Sequence, residues 1–490
     1  MPSSWSGIGS TTGYSHSMSR SESTINTAYL EEVRAWYDGR PTPLNWASVG
    51  YRAILAHYYS LLIQQDASVL EIGCGSGELL KRIPARRKVG IDISEKQVLA
   101  ARQQCPEAEF HVQAAEVIDL PERFDFIIIS DTLNFSADVQ QVLERLHSVS
   151  HPRTRLIINY PSALWRPVLA FARVLGLKPT EPPSNWLATS DIMGLMDLAD
   201  WSPLIVQPRI LCPVAARGIG ASVNRWLGPL FSWFCLTVFC VARPRKANET
   251  GPMTVSVVIP ARNEAGNIEA AVKRTPVMGA GTELIFVEGH SNDNTWEEME
   301  RVARENPMLK IRILKQPGRG KGDAVRAGFA VAEGDLFMIL DADLTVPPEE
   351  MSKFYEAIVS GRAEFANGSR LVYPMEKAAM RFLNMCANKT FGILFTWILG
   401  QSVKDTLCGT KVLRRADYER ITANRVYFGD FDPFGDFDLL FGAARLNMKI
   451  VDVPIRYRDR TYGSTNIQRW RHGWLLLRMV TFAARKLKFV

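Results

Sequence analysis

SVLEIGCGSGELLKRI, residues 68–83, is an apolar run that breaks into a glycine-rich turn and resumes with helical spacing. The pattern predicts a strand, a tight turn and the start of a helix. Glu71, Gly73, Gly75 and Gly77 stand in the order E-x-G-x-G-x-G. Glycines let a backbone turn sharply and come close to a ligand. Working outward, KVGIDIS (88–94) predicts a second strand that ends at Asp92. That lies about 20 residues on, the separation at which a carboxylate meets the ribose hydroxyls of an adenosine ligand. A third strand, EFHVQAAE (109–116), ends near Glu116, and a fourth, FDFIIISDTLNF (124–135), ends in Ser130 and Asp131. Strands that alternate with helical patterns predict a parallel α/β sheet.

A length of 490 residues predicts two or three domains, and 47% hydrophobic with 22% charged residues describes a globular protein. The net charge of +7 is a mild excess gathered near the C-terminus, and no basic block predicts a nucleic-acid partner. Seven scattered cysteines without a C-x-x-C fit a reducing compartment and no structural zinc. The Ser-rich start has no apolar core of a secretory signal, so disorder there and a cytoplasmic location are expected. WLGPLFSWFCLTVFCVA (226–242) is 17 residues without charge, shorter than a spanning helix and interrupted by Gly228 and Pro229. It reads as a short helix or loop followed by a buried strand. VARPRKANETGPM (241–253) reads as a linker. The expected division is a tail at 1–28, one α/β domain at 29–245, a linker at 246–253 and a second α/β domain at 254–490.

The ordered pieces of the first domain resemble a class I S-adenosylmethionine-dependent methyltransferase over about 45–243, a Rossmann-like sheet. The resemblance implies that Glu71, Gly73, Gly75 and Gly77 cradle the methionine end of the cofactor and Asp92 its ribose. Glu116 would stand near the adenine, with Ser130 and Asp131 lining the methyl-donor pocket. Where that family often has G-D-A-E, this chain reads QAAE (113–116), with Ala114 at the usual aspartate position. No acceptor motif is legible. PSALWRPVLAFARVLGL (161–177) and PPSNWLATSDIMGLMDLADW (182–201) read as helical insertions that shape an acceptor pocket or pack as core.

In the second half, ILDADLTVPPEE (339–350) ends an apolar run in Asp341 and Asp343. Strand alternation would point both carboxylates the same way, and like charges so placed invite a hard divalent cation, Mg²⁺ or Mn²⁺. TVSVVIPARNEAGNIEAAV (254–272), ELIFVEGHSNDNTWEEM (283–299) and GRGKGDAVRAGFAVAEGDLFMILDADL (318–344) each bring a polar turn to a strand end. In an open parallel sheet those ends converge on one crevice. Lys321 would approach phosphate there, and Glu288 a ribose or base.

Eight motifs in order resemble the family-2 glycosyltransferases of the GT-A fold, most closely the dolichyl- or polyprenyl-phosphate sugar transferases, over about 254–475. They are VVIPARNE, VEGHSNDNT, GKGDAVRAGF, LDADLTVPPE, GSR (368–370), DTLCGTKVLRR (405–415), GDFDLLFGAARL (435–446) and VPIRYRDRTYGSTNI (453–467). The resemblance implies a metal on Asp341 and Asp343. It also implies a nucleotide-sugar met by Pro260, Ala261, Asn263, Glu264, Glu288, Asp293, Lys321, Asp323 and Arg370. The chain departs from the family at Glu288-Gly289, where Asp-Asp is common, at Thr345 in place of glutamine, and at Asp436-Phe437-Asp438, where a glutamate is common.

A hydroxyl acceptor would need Asp436 or Asp438 as general base. A lipid phosphate would need none, and Arg456, Arg458 and Arg460 would hold it, their alternative being a solvated strand edge. NIQRWRHGW (466–474) is not the Q-x-x-R-W of processive synthases, and the opening PARNEAGNI is not that of sugar nucleotidyltransferases. RWRHGWLLLRMVTFAARKLKFV (469–490) suits either peripheral contact with a membrane face or a helix packed on its domain. The expected protein is bifunctional, transferring sugar to a lipid-phosphate or glycan acceptor and methylating a glycan or glycolipid. The alternative is a glycosyltransferase whose first domain is a noncatalytic cofactor-binding or scaffolding module.

Overall fold

The computed structural model describes residues 26–39, 46–174, 184–185, 187–213, 218–245, 251–372, 382–425, 437–458, 460, 462 and 469–490. Their strands form two seven-stranded sheets. The first contains β1 (Ser68–Ile72), β2 (Arg87–Asp92), β3 (Glu109–Val112), β4 (Phe124–Ser130), β5 (Ser150–Pro161), β6 (Trp201–Ile210) and β7 (Thr237–Pro244). Its spatial order is β3-β2-β1-β4-β5-β7-β6. The strands β1 to β5 pair in parallel, and β7 runs antiparallel to β5 and β6.

The second sheet contains β8 (Thr254–Ala261), β9 (Gly281–Glu288), β10 (Lys310–Lys315), β11 (Leu336–Ile339), β12 (Phe365–Ser369), β13 (Lys411–Arg414) and β14 (Ile450–Pro454). Its order is β10-β9-β8-β11-β13-β12-β14. β10, β9, β8 and β11 are parallel neighbours, β13 is antiparallel to β11 and β12, and β12 pairs β14 in parallel. In each sheet the chain steps outward from its first strand and then returns to that strand's other side. β1/β4 and β8/β11 are therefore the switch points where open α/β sheets receive ligands.

Central strands are buried on both faces, which explains their unbroken apolar runs. Leu70 and Ile72 pack into one core layer with Ile127 and Ile129. Val69 packs into the opposite layer with Leu55 and Tyr59 of helix Trp46–Leu62. Glu71, which alternates with Leu70 and Ile72, is therefore aimed at that helix. The second sheet is divided in the same way, with Val258 and Ile339 on one face and Val257 and Met338 on the other.

Several expectations shift in detail. Residues 1–25 and 246–250 lie outside the described residues, so the disorder expected at the start and most of the linker do too. Helix Thr27–Asp38 begins inside the stretch read as tail. The charge-free run resolves into helix Ile219–Trp226, a short turn at Ser232–Phe234 and β7, whose residues are all buried. The third strand stops at Val112, and Ala115–Val117 forms a single 3₁₀ turn. No helix among the described residues is long and apolar enough to cross a membrane.

The two domains are joined by a buried charge cluster. Glu364, just ahead of β12, accepts a hydrogen bond from Arg155 Nη2 of β5 at 2.8 Å and lies 3.6 Å from Arg243 Nη1 of β7. All three side chains are almost wholly buried. Arg155 Nε also donates to the Asn447 carbonyl, Arg243 Nη2 to the Gly361 carbonyl, and Lys449 Nζ to Ser202 Oγ. Removing Glu364 would leave two guanidinium groups buried without their counter-charge. Glu364→Ala is expected to lower the unfolding free energy by about 3–5 kcal/mol, read as an earlier transition in chemical denaturation. A variant as stable as the wild type would show that the cluster does not hold the domains.

Candidate functional site

The glycine-rich turn after β1 borders a cavity of about 400 Å³ at the switch point of the first sheet. Gly73, Gly75 and Gly77 all have positive φ, at 71°, 51° and 78°, which a side chain would strain. A Cβ on Gly73 would strike Thr132, while one on Gly75 would meet nothing within 4 Å. The middle of the turn is therefore open to an occupant. Asp92, at the end of β2, accepts from Gly75 N at 2.8 Å and from Ser94 N at 2.9 Å, tying turn and strand together. Burial raises its carboxyl above the usual range. Glu116 lines the cavity but accepts from Ala137 N at 2.7 Å, which fixes the loop beyond β4.

Glu71 is fully buried, and neither carboxylate oxygen has a hydrogen-bond partner. Burial pushes it up to about 8, opposed mainly by the charge of Arg52. Arg52 comes from helix Trp46–Leu62 and donates to Ser130 Oγ at 3.2 Å. Burial works against the Arg52 charge, and Asp131 and Glu71 outweigh it. Asp131 has φ 53° and accepts from Asn159 Nδ2 at 2.7 Å. Asn159 in turn accepts from Tyr59 Oη at 2.6 Å. Helix Thr27–Asp38 covers the cavity with Trp36 and Tyr37, which pack on Phe135. The glycine turn was legible in the sequence, whereas Arg52 was missed. Its one signal is a lone arginine in an otherwise uncharged, largely apolar helix.

At the second switch point the two aspartates lie beyond the strand. β11 ends at Ile339, so Asp341 and Asp343 sit in the following turn and strand alternation does not orient them. Each has a basic partner instead. Lys321 Nζ, at the start of helix Lys321–Val331, lies 2.5 Å from Asp341 Oδ1. Arg460 Nη2 donates to Asp343 Oδ2 at 2.6 Å, and Arg460 Nη1 to Glu264 Oε1 at 3.2 Å. Burial would raise the Asp341 carboxyl, but Lys321 holds it below the usual range. Burial raises Glu264. Thr345, at the glutamine position of the resemblance, donates its hydroxyl to Asp343 Oδ1 at 2.8 Å and so fixes that carboxylate. Gly409 was missed. A Cβ there would meet Lys321 Nζ and Asp341 Oδ2 at about 2 Å, so its loop closes directly over the site.

The loops after β8 and β9 are laced together beside this turn. Asn263 N donates to Ser291 Oγ, Asn292 N to Asn263 Oδ1, and Ser291 N to Glu288 Oε1. Asp293 accepts from Thr295, whose hydroxyl also receives Glu264 N. Pro260 and Ala261 end β8 beneath them. Asp323 accepts from Gly318 N, bracing the loop that carries Lys321. Arg370 is clasped by Asp405 through bonds of 2.7 and 2.8 Å, with Tyr457 against its face. Burial pushes Asp405 up and Arg370 more than offsets this, leaving it at about 2. Asp436 lies outside the described residues, and Asp438 pairs with Arg425 at 3.2 Å. Arg456 and Arg458 are exposed, and Arg460 alone of that trio is seen at the aspartates. Among the described residues no cluster of three His, Cys, Asp or Glu side chains is set to hold a metal.

Two doubly wound α/β domains, each with polar groups gathered beyond its switch point, give the chain two separate candidate sites. Residues 63–178 match the family model described as Methyltransferase domain, and residues 256–422 match Glycosyl transferase family 2. The chain joins a methyltransferase domain to a family 2 glycosyltransferase domain. It is 31% identical over 222 residues to a dolichol-phosphate mannosyltransferase of Pyrococcus furiosus, covering 44% of this chain and 60% of that protein's length. Among solved structures it is similar to a SAM-dependent methyltransferase, possible histamine N-methyltransferase, from Thermotoga maritima. That match has 19% identity and a TM-score of 0.32, over 45% of this chain and 99% of the other. It is also similar to glucosyl-3-phosphoglycerate synthase from Mycobacterium tuberculosis, at 19% identity and a TM-score of 0.36, over 48% of this chain and 80% of the other.

The Glu71 carboxyl gives a pH test. Its value rises from 4.5 to about 8 on folding, so the folded state holds a proton that the unfolded state has released across that window. Stability from this group is complete below the unfolded value and is lost as pH rises through the folded one. The wild type is expected to lose stability between pH 5 and 8 more steeply than Glu71→Gln, measured by denaturant midpoints. Parallel curves would contradict the buried, unpaired carboxyl.

Proposed function

We propose that the second domain transfers a sugar from a nucleotide-sugar to a lipid-phosphate acceptor and that the first methylates a glycan or glycolipid with S-adenosylmethionine. The observation that carries the sugar-transfer reading is the pairing of Asp341 with Lys321 and of Asp343 with Arg460 beyond the end of β11, at the switch point of the second sheet. Carboxylates and cations so interleaved suit a diphosphate, whose own oxygens complete the shell of a hard cation held by only one or two carboxylates. Asp341 and Asp343 would hold Mg²⁺ or Mn²⁺, which would supply charge neutralisation for the leaving nucleoside diphosphate. Lys321 and Arg460 are the chain's own cations for phosphate oxygens there. The acceptor oxygen forms its bond to the anomeric carbon as the bond to the diphosphate breaks. A lipid phosphate is already anionic and needs no base, which agrees with Asp438 being engaged by Arg425. The exposed Arg456 and Arg458 are suited to its phosphate.

In the first domain the open Gly75 turn and the unpartnered Glu71 fit the ammonium group at the methionine end of S-adenosylmethionine, with Asp92 toward the ribose. Bound there, that cofactor would supply an electrophilic methyl group. An acceptor hydroxyl would take that methyl carbon and lose its proton to solvent, leaving the bonding pair on sulfur. Ser130 and Asp131 line the cavity, and Arg52, bonded to Ser130, fixes that wall.

A screen of nucleotide-sugars with Mg²⁺ or Mn²⁺ tests the sugar-transfer reading. Release of nucleoside diphosphate is expected to need the metal and to fall about a hundredfold or more in Asp343→Asn. Release that ignores both metal and substitution, or none from any donor, would overturn it.

A further inference from the structure

Four segments leave large apolar side chains in solvent. Helix Arg166–Val174 exposes Val168, Phe171 and Val174, with Phe171 63% and Val174 82% exposed. The stretch 226–234 exposes Trp226, Leu230 and Trp233. Helix Phe382–Leu399 exposes Ile393, and helix Arg469–Ala483 exposes Trp474 and Leu477. The segments touch in series. Trp165 Nε1 donates to the Phe234 carbonyl at 2.8 Å, joining the first two. Phe489, past the last helix, has its ring 5.7 Å from Trp226 and, edge-on, 5.8 Å from Trp397, so the C-terminal segment touches the other two. Exposed apolar side chains gathered on neighbouring segments in this way mark an interaction site.

Charge says what covers it. Residues 162–174, 218–236, 382–399 and 469–490 contain arginine and lysine but no aspartate or glutamate. Two copies of such a face would set like charges together, which disfavours self-association. A membrane surface with anionic head groups meets both features at once, taking apolar and tryptophan side chains at its boundary and cations at its head groups. No helix among the described residues is long and apolar enough to span, so the contact proposed for this face is one that lies on the surface. The same segments also form a wall of the first domain's cavity. Leu169, beside the exposed Val168, and Leu236, two residues from the exposed Phe234, both line it.

We propose that this face docks the protein on an anionic bilayer and that the methyl acceptor is the polar head of a lipid carried in that bilayer. The second clause rests on the methyl-transfer reading of the cavity, while the first stands on the surface alone. The acceptor lipid's chain lies against Phe171 and Trp233 while its head enters between Leu169 and Leu236.

The test is flotation of the full chain with phosphatidylglycerol vesicles and with phosphatidylcholine vesicles at physiological salt, comparing the wild type with Phe171→Glu/Trp233→Glu. Both substitutions fall on exposed side chains, and thermal unfolding of the two proteins checks that the fold is kept. The wild type is expected to float with the anionic vesicles and the double variant to bind them about tenfold more weakly or worse. Equal flotation of both proteins, no flotation of the wild type, or a lipid-free dimer that the double variant dissolves would each overturn the docking. For the acceptor, labelled methyl from S-adenosylmethionine is expected in the solvent-extractable lipid of a vesicle made from a total lipid extract. Label confined to water-soluble products would overturn that assignment. Calorimetric titration of S-adenosylmethionine separates the two failures: no binding sinks the methyl-transfer reading and the acceptor with it, while flotation still decides the docking.

Discussion

The buried carboxylate of Glu364, set between Arg155 and Arg243, ties the two halves of the chain into one body. A charge cluster of this kind contributes little net stability, because taking three ions out of water costs about as much as their attraction returns. What it provides is selectivity of arrangement. Only one juxtaposition of the first sheet's β5 and β7 with the second sheet's β12 satisfies Glu364 from both sides. Bonds from Asn447 to the Leu62 carbonyl and from Arg209 to the Leu487 and Lys488 carbonyls extend that register along the contact.

The two sites meet charge differently. Beside the glycine turn, a buried carboxyl has lost its solvent and gained no hydrogen bond, so a cationic ligand group would relieve it. At the second switch point Asp341, Asp343 and Glu264 already face Lys321 and Arg460, and a divalent cation carried with a diphosphate would meet both signs. The domains also differ in enclosure. The first domain's cavity is roofed by Trp36 and Tyr37, whereas at the second domain's aspartates Arg460 and the Gly409 loop close in.

Features set by local chemistry were legible in the sequence. The glycine turn, the carboxylate at the end of β2, the order of strands and helices and the D-x-D each depend on residues close in the chain, and their spacing carries them. Features set by convergence were not. Arg460 stands 117 positions from Asp343, and only the fold brings them together. The resemblance assigns Arg370 to the donor, and its bidentate partner Asp405, 35 positions on, is likewise brought to it only by the fold. The aspartates were expected on a strand because the apolar run leads straight into them, but β11 ends at Ile339 and the turn places them. The contact between domains left no mark in the sequence, since Arg155, Arg243 and Glu364 each look like a charge in a strand.

Sugar transfer and methyl transfer, as proposed for the two domains, would act in succession on one lipid-linked product. The most direct measurement gives the purified full chain a nucleotide-sugar, a polyprenyl phosphate and a divalent cation, with and without S-adenosylmethionine, and weighs the lipid product by mass spectrometry. The account predicts a glycosylated lipid without the methyl donor and the same lipid heavier by one methylene unit with it. A glycosylated lipid whose mass the methyl donor leaves unchanged would contradict the coupling of the two sites.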